Sequence, residues 1–513
     1  MIAQRVSFAF FNNLVVHGLG FVSLFFVARY MGPEPLGTIA FALAYLHIFS
    51  SFSSLGFGSA HIKRVSEGRD FGKCNGTYFS VKLVLTLLMT VVVLLTILIP
   101  KLSGHADFVS KEHETVLYVM LVSAIVGNVS MMFNITFGAR REIAKQQIPK
   151  LAEKLVTVIG SVFVAITGLG VVLLAGANLL GSLIALLFFL YFFRGYPIAR
   201  PDKEYFRSYV KFAIPVMFIG ILSDLAHNMD KVMIQFFWTT ADVGYYSAAE
   251  RISVILTYIV VASETLIFPT ISAYHARHDI MAIRSLANRA ERYLSMIFSP
   301  ILAFLFVFSH QVCTIILGQE FAQSAPLLVI LVAVVLVNGT ALPYGQQIGA
   351  TNRIVLAAKL SSVIFVLDLL LNVIFVPKEF MGLKFLGLGT QGAALSTLLS
   401  MTIGSILFRI YAYRITASRP NTRILLHFIS AFIMYLALRL ISSMLPEMPV
   451  YYLLLCGILG IAIYLAVLTL FGEFGRADVL FFRKIMSPTQ LKKYAVSEIK
   501  SGYEEHADRV NEK

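Results

Sequence analysis

Apolar residues in this chain neither alternate nor mark one face of a helix; they run on without a break. Fourteen such stretches, the first opening near residue 8 and the last closing near residue 471, are separated by short polar gaps. A helix needs about 20 apolar residues to cross the hydrocarbon core of a bilayer. The pattern therefore predicts an all-α membrane protein with fourteen transmembrane helices, the remainder of the chain being loops and a tail. At this density of apolar residues the helical period hardly distinguishes a buried face, so polar positions inside the runs must locate any site. Composition agrees, with 58% hydrophobic and 14% charged residues.

Charge adds the orientation. The net charge is +14, and lysine and arginine crowd into both termini and every second gap. The other gaps hold only Arg29, Lys101, Lys111, Lys378 and Lys384. By the positive-inside rule both termini are cytoplasmic, which predicts a multi-pass protein of the cell membrane with 103–114 and 377–386 outside and 277–289 inside. The basic balance is thus a topology signal and implies no nucleic-acid partner. The first run is too long for a signal peptide and reads as an uncleaved helix. Three scattered cysteines, Cys74, Cys313 and Cys456, give neither a disulfide framework nor a metal site. The chain has no phosphate-binding glycine loop, no DxD and no Cys/His metal spacing, and its outer gaps are too short for a catalytic domain. The expectation is a non-enzyme with no catalytic residues and no resident cofactor.

A repeat organises the runs. At an offset of about 207 residues Gly37, within "FVARYMGPEPLGTIAFALAY" (26–45), falls on Gly244, within "IQFFWTTADVGYYSAAERIS" (234–253), and "LAGANLLGSLIALL" (174–187) parallels "GTQGAALSTLLSMT" (389–402). An even number of crossings between copies gives them the same orientation, as in transporters built from parallel repeats about an axis along the membrane normal. The expected organisation is a six-helix bundle over 1–200, a second over 201–415, accessory helices 13 and 14 over 416–472 and a cytoplasmic tail over 473–513. The tail is basic near the membrane and is expected to lie on anionic lipid.

Two stretches carry a family likeness. "VARYMGPEPLGTIAFA" with "LGFGSAHIKRVSE" (27–67), and "NMDKVMIQFFWTTADVGYYSAAERI" (228–252), resemble the Wzx-type polysaccharide transporters. These are lipid-linked oligosaccharide flippases of the MATE-like (multidrug/oligosaccharidyl-lipid/polysaccharide) exporter superfamily. The likeness spans about residues 5–410. It implies a polyprenyl-linked oligosaccharide as cargo, membrane lipid as surroundings, and glycosyltransferases or a glycan polymerase as neighbours. Relatives that flip peptidoglycan precursors carry arginines in the first helix; His17 and Ser23 stand there in this chain.

Polar residues inside the runs supply the candidates. Asp224, His227, Asn228, Lys231 and Gln235 recur at i, i+3, i+4, i+7 and i+11, along one face of span 7. A charge at the centre of a membrane helix costs about 2.5–3.5 kcal/mol even on insertion scales, so these residues face water or partners. As a cavity wall, Lys231 would meet a phosphate and Asp224 a coupling cation; as structure, Lys231 would pair with Glu250. Asp230 lies off this stripe but within the family-like motif. Span 11 offers Ser361, Asp368 and Asn372 on one face. Flippase relatives place a sodium site between spans 7, 11 and 12. By that resemblance Asp224 or Asp230 would join Asp368, Asn372 and Thr397 to hold Na+ or H+. His17, His47, Lys63 and Arg64 are candidates for substrate contact, and Glu264 for a gate or proton carrier. The expected function is ion-driven alternating access moving a polyprenyl-(pyro)phosphate oligosaccharide from the cytoplasmic to the outer leaflet. A cation-coupled exporter of small amphipathic molecules and a scaffold for glycan-assembly enzymes are the alternatives.

Overall fold

Lipid offers no partner for a backbone amide, so each apolar run must close its own hydrogen bonds, and the helix does this. The computed structural model describes residues 2–102, 111–444 and 450–480. Their helices are α1 (Ile2–Met31), α2 (Pro33–Ser54), α3 (Phe57–Ser66), α4 (Phe71–Leu102), α5 (Lys111–Ala139), α6 (Ile143–Thr167), α7 (Val171–Phe193), α8 (Lys203–Phe237), α9 (Thr240–Ala276), α10 (Ile280–Leu317), α11 (Ser324–Ala350), α12 (Ile354–Phe375), α13 (Gly389–Thr416), α14 (Ile424–Met444) and α15 (Val450–Leu470). Between α12 and α13 lies a small antiparallel ribbon of β1 (Glu379–Phe380) and β2 (Leu383–Lys384).

Among the described residues, twelve helices are long and apolar enough to cross a membrane, and the protein is a multi-pass membrane protein. One long helix outside that set, α6, is held back by its charge, for it carries Lys150, Glu153 and Lys154. Several helices outrun the apolar stretches that seeded them. At 38 residues α10 is about 57 Å long by its rise per residue, against a hydrocarbon core of about 30 Å. Polar caps set such starts. Asp202 accepts from the amides of Glu204 and Tyr205 at the head of α8, and Thr239 and Asp242 form a reciprocal capping box at the head of α9.

Helices α1 and α4–α7 pack mainly within the first half and α9–α13 mainly within the second, whereas α2 and α8 pack mostly across to the other half. The halves meet where α2 lies against α8 and α9. There the paired glycines of the repeat, Gly37 and Gly244, touch. A Cβ on Gly37 would overlap the Thr240 carbonyl oxygen and lie 2.8 Å from the Gly244 amide nitrogen, and one on Gly244 would overlap the Pro33 carbonyl. Helices α14 and α15 pack on α10.

Two expectations need correction. The apolar-run reading had no place for α3, whose ten residues are too few to span and whose start is set by a left-handed turn at Leu55 and Gly56. The chain after α15 is also no loose surface tail over its first residues. Glu473 and Asp478 are buried, and both grip Arg292 of α10, at 2.5 and 2.7 Å. The tail residues Arg483, Lys484, Lys492 and Lys493 lie outside the described residues.

Candidate functional site

The face of α8 that bears Asp230 meets α9, α12 and α13, and a polar cluster lies within that contact. Asp230 accepts from the Tyr246 hydroxyl at 2.5 Å, from Asn372 Nδ2 at 2.8 Å and from Thr397 at 3.3 Å. One turn before Asn372, Asp368 accepts from Ser400 at 3.1 Å. Both carboxylates and Asn372 are buried. The Asn372 side-chain oxygen is buried and, among the described residues, has no donor facing it. Two carboxylates beside an orphaned oxygen form an acceptor-rich pocket, chemistry that fits a hard monovalent cation or a shared proton. The structure thus brings together Asp230, Asp368, Asn372 and Thr397, and Ser361 adds nothing to them. Asp224 does not join this group.

Instead Asp224 reaches the first half, where its carboxylate accepts from Ser51 of α2 at 2.6 Å. The rest of the α8 stripe divides. Lys231 is buried and paired with Glu250 of α9 at 2.8 Å, the structural alternative foreseen for it. His227 and Asn228 bond back to the carbonyls of Ser223 and Asp224, and Gln235 donates to Thr240. Glu264 is exposed and accepts from Gln346 of α11 at 2.8 Å. On α3, Arg64 is held by Glu67 and the Ser208 carbonyl, while Lys63 stacks over Phe212.

Between the halves lies a cleft of about 650 Å³ whose walls come from α1, α2, α6, α7 and α9. Its charged lining is Lys154 of α6 and Arg251 of α9, with the His17 imidazole of α1 beside them. Lys154 and Arg251 lie within electrostatic reach of each other, and among the described residues neither is ion-paired with a carboxylate. The His17 ring lies 4.5 Å from that of Tyr258. Glycine makes the room, since a Cβ on Gly20 would lie 3.2 Å from the Lys154 ammonium. Thr157 and Ser161 continue the Lys154 face along α6, and Val254, Ile255 and Tyr258 continue that of Arg251. Sequence reasoning passed over both cations, although each stands inside an apolar run, at helical spacing from other cleft residues. His47 lies in a different cavity, with Asp224.

A family profile described as "Polysaccharide biosynthesis protein" matches residues 26–326. Two similar proteins are known from Haloferax volcanii. The "probable low-salt glycan biosynthesis flippase" is 24% identical over 406 residues, covering 78% of this chain and 81% of its own. The "probable flippase AglR" is 24% identical over 413 residues, covering 79% and 82%. Among solved structures the chain is similar to the lipid II flippase MurJ in an inward closed conformation, with a TM-score of 0.70, 15% identity, and 90% and 98% of the two chains covered. It is also similar to an inward-facing MATE family multidrug transporter, with a TM-score of 0.62, 17% identity, and 78% and 95% covered. At those identities the likeness to solved structures is one of fold.

Proposed function

The chain belongs to the polysaccharide biosynthesis protein family of Wzx-type transporters, and from that premise we propose that it flips a polyprenyl-(pyro)phosphate-linked oligosaccharide from the cytoplasmic to the outer leaflet. One observation carries the reading. The cleft between the halves presents His17, Lys154 and Arg251 with no carboxylate bound to either of the last two. Two desolvated cations offered to an open space suit a pyrophosphate, which both a guanidinium and an ammonium hold by charge-assisted hydrogen bonds. An exporter of cationic drugs would need the opposite charge on this wall. With Lys231 committed to Glu250, the phosphate contact passes to Lys154 and Arg251.

Energy comes from the second polar centre. Asp230, Asp368, Asn372 and Thr397 hold Na+ or H+, and occupancy changes how α8 sits on α12 and α13. Because α8 also touches α2 through Asp224 and Ser51, that change reaches the first half. Two six-helix bundles then rock about the cleft while the polyprenyl tail stays in lipid. The test is reconstitution in vesicles with a fluorescent polyprenyl-pyrophosphate disaccharide in both leaflets. Wild type should move the probe along an imposed ion gradient, and Arg251→Ala and Lys154→Ala should each slow it at least about ten-fold, a loss of about 1.4 kcal/mol. Unchanged rates in both variants would end this reading of the cleft.

A further inference from the structure

Neighbouring residues on α6 face different cavities. Lys154 lines the cationic cleft, whereas Glu153 lines a second space of about 470 Å³ bounded by α2, α5, α6 and α7 and closed by Asp224 of α8. The two spaces share Leu43, Thr157 and Asn178 as lining, so they adjoin. Resting on the flippase reading of the cleft, we propose that this second cavity is the subsite for the sugar next to the pyrophosphate, and that Glu153 and Asp224 make it selective for neutral over acidic sugars.

The lining has the chemistry of a polyol site. Hydroxyls and amides project from several helices, Ser50 and Ser54 from α2, Asn128 from α5, Asn178 and Ser182 from α7. Leu43, Met120 and Met131 supply apolar surface of the kind a pyranose face covers. A volume of this size lies within the roughly 300–1,000 Å³ usual for small-molecule sites and far exceeds the shell of a single ion. The two carboxylates also do not converge as ion ligands do: Ser51 donates to Asp224 at 2.6 Å and Ser182 to Glu153 at 3.4 Å.

Behind the wall, Lys82 is buried and its ammonium is fully used. It donates to the Ser53 carbonyl at 3.0 Å and hydroxyl at 2.9 Å, to Ser54 at 3.2 Å and to Asn128 at 2.9 Å. Lys82 is therefore a positioning residue that fixes Ser54 and Asn128, and its charge offers no partner to an acidic sugar. Among the described lining residues a uronic acid placed here would face two carboxylates and the His47 imidazole, with no lysine or arginine, a repulsive element of the kind that sets specificity.

The experiment compares initial flipping rates in vesicles for three probes: polyprenyl pyrophosphate bare, carrying glucose, and carrying glucuronic acid. Wild type should move the glucosyl probe about ten-fold or more faster than the glucuronosyl one. Glu153→Gln should shrink that ratio to within about two-fold by raising the glucuronosyl rate, and leave the bare probe unchanged. Ser182→Ala, a milder change, should slow the glucosyl probe and spare the bare one. Equal glucosyl and glucuronosyl rates in wild type, or a ratio untouched by both Glu153→Gln and Asp224→Asn, would overturn the subsite. If wild type moved none of the three, the flippase reading itself would fall.

Discussion

Asp230 shows what a single position in the sequence discloses and what it hides. Its place off the α8 stripe is legible from helical spacing, and so is the i, i+4 pair of Asp368 and Asn372. Their meeting with Thr397 is not, because it depends on how three helices cross. Lys154 and Arg251 were hidden differently: each is a cation inside an apolar run, and only the packing of α6 against α1 and of α9 against α2 turns them to one cleft. The buried carboxylates give a direct expectation. If they bind Na+, raising its concentration to 100 times the dissociation constant stabilises the protein by about 2.7 kcal/mol. Thermal unfolding in detergent should therefore rise with Na+ at constant ionic strength, and Asp230→Asn or Asp368→Asn should abolish the rise. A midpoint that follows pH and ignores Na+ would assign the site to a proton. His61 supports a second expectation. On α3 its ring is buried between the Tyr209 hydroxyl at 2.9 Å and Thr136 at 3.0 Å, and burial pushes the imidazole down to about 3. The folded state thus refuses a proton that the unfolded chain accepts below about pH 6.5. Stability contributed by neutral His61 is intact above that value and is lost as the pH falls from 6.5 toward 3. The midpoint should fall less steeply with acid in His61→Gln than in wild type across that window.

Among the helices, the pairing of Gly37 with Gly244 was visible as a repeat before their contact was. The two glycines that the sequence repeat pairs are the ones at which the halves cross most closely. The crossing of α2 and α9 leaves no space for a side chain. Gly37→Val should pry the helices apart, and cysteine probes along α2 should then react faster from the side that the crossing now closes. The short α3 and the return after α15 were illegible for a common reason. Both are fixed by polar contacts to distant helices, and hydropathy carries no trace of those. Arg292 makes the second case testable. It holds Glu473 and Asp478, and its hydrogen bond keeps the Asp478 carboxyl below the usual range. Removing one partner of a buried pair costs about 3–5 kcal/mol. Arg292→Ala should lower the thermal midpoint and speed amide exchange over 450–480, while exchange in α4 and α5 stays as in wild type.

For the molecule as a whole, direction of transport depends on orientation, and orientation rests on the charge of the gaps. The ribbon between α12 and α13 lies in a gap with two lysines and should face outward; the turn between α9 and α10 lies in a basic gap and should face inward. On the same rule the starts of α2 and of α9 should lie outside, and the Gly37–Gly244 crossing would then close the outer side, leaving the cationic cleft to fill from the cytoplasm. The three native cysteines are buried, so the wild-type chain gives a quiet background for thiol labelling. Met381 is 85% exposed at the tip of the ribbon, and Ser285 sits near the start of α10. In sealed cells a membrane-impermeant maleimide should label Met381→Cys and spare Ser285→Cys, and permeabilisation should reverse the second result. Labelling of Ser285→Cys in sealed cells would invert the whole chain. The crossing would then seal the cytoplasmic side, the cleft would open outward, and a substrate made inside could not reach Lys154 and Arg251 in this conformation.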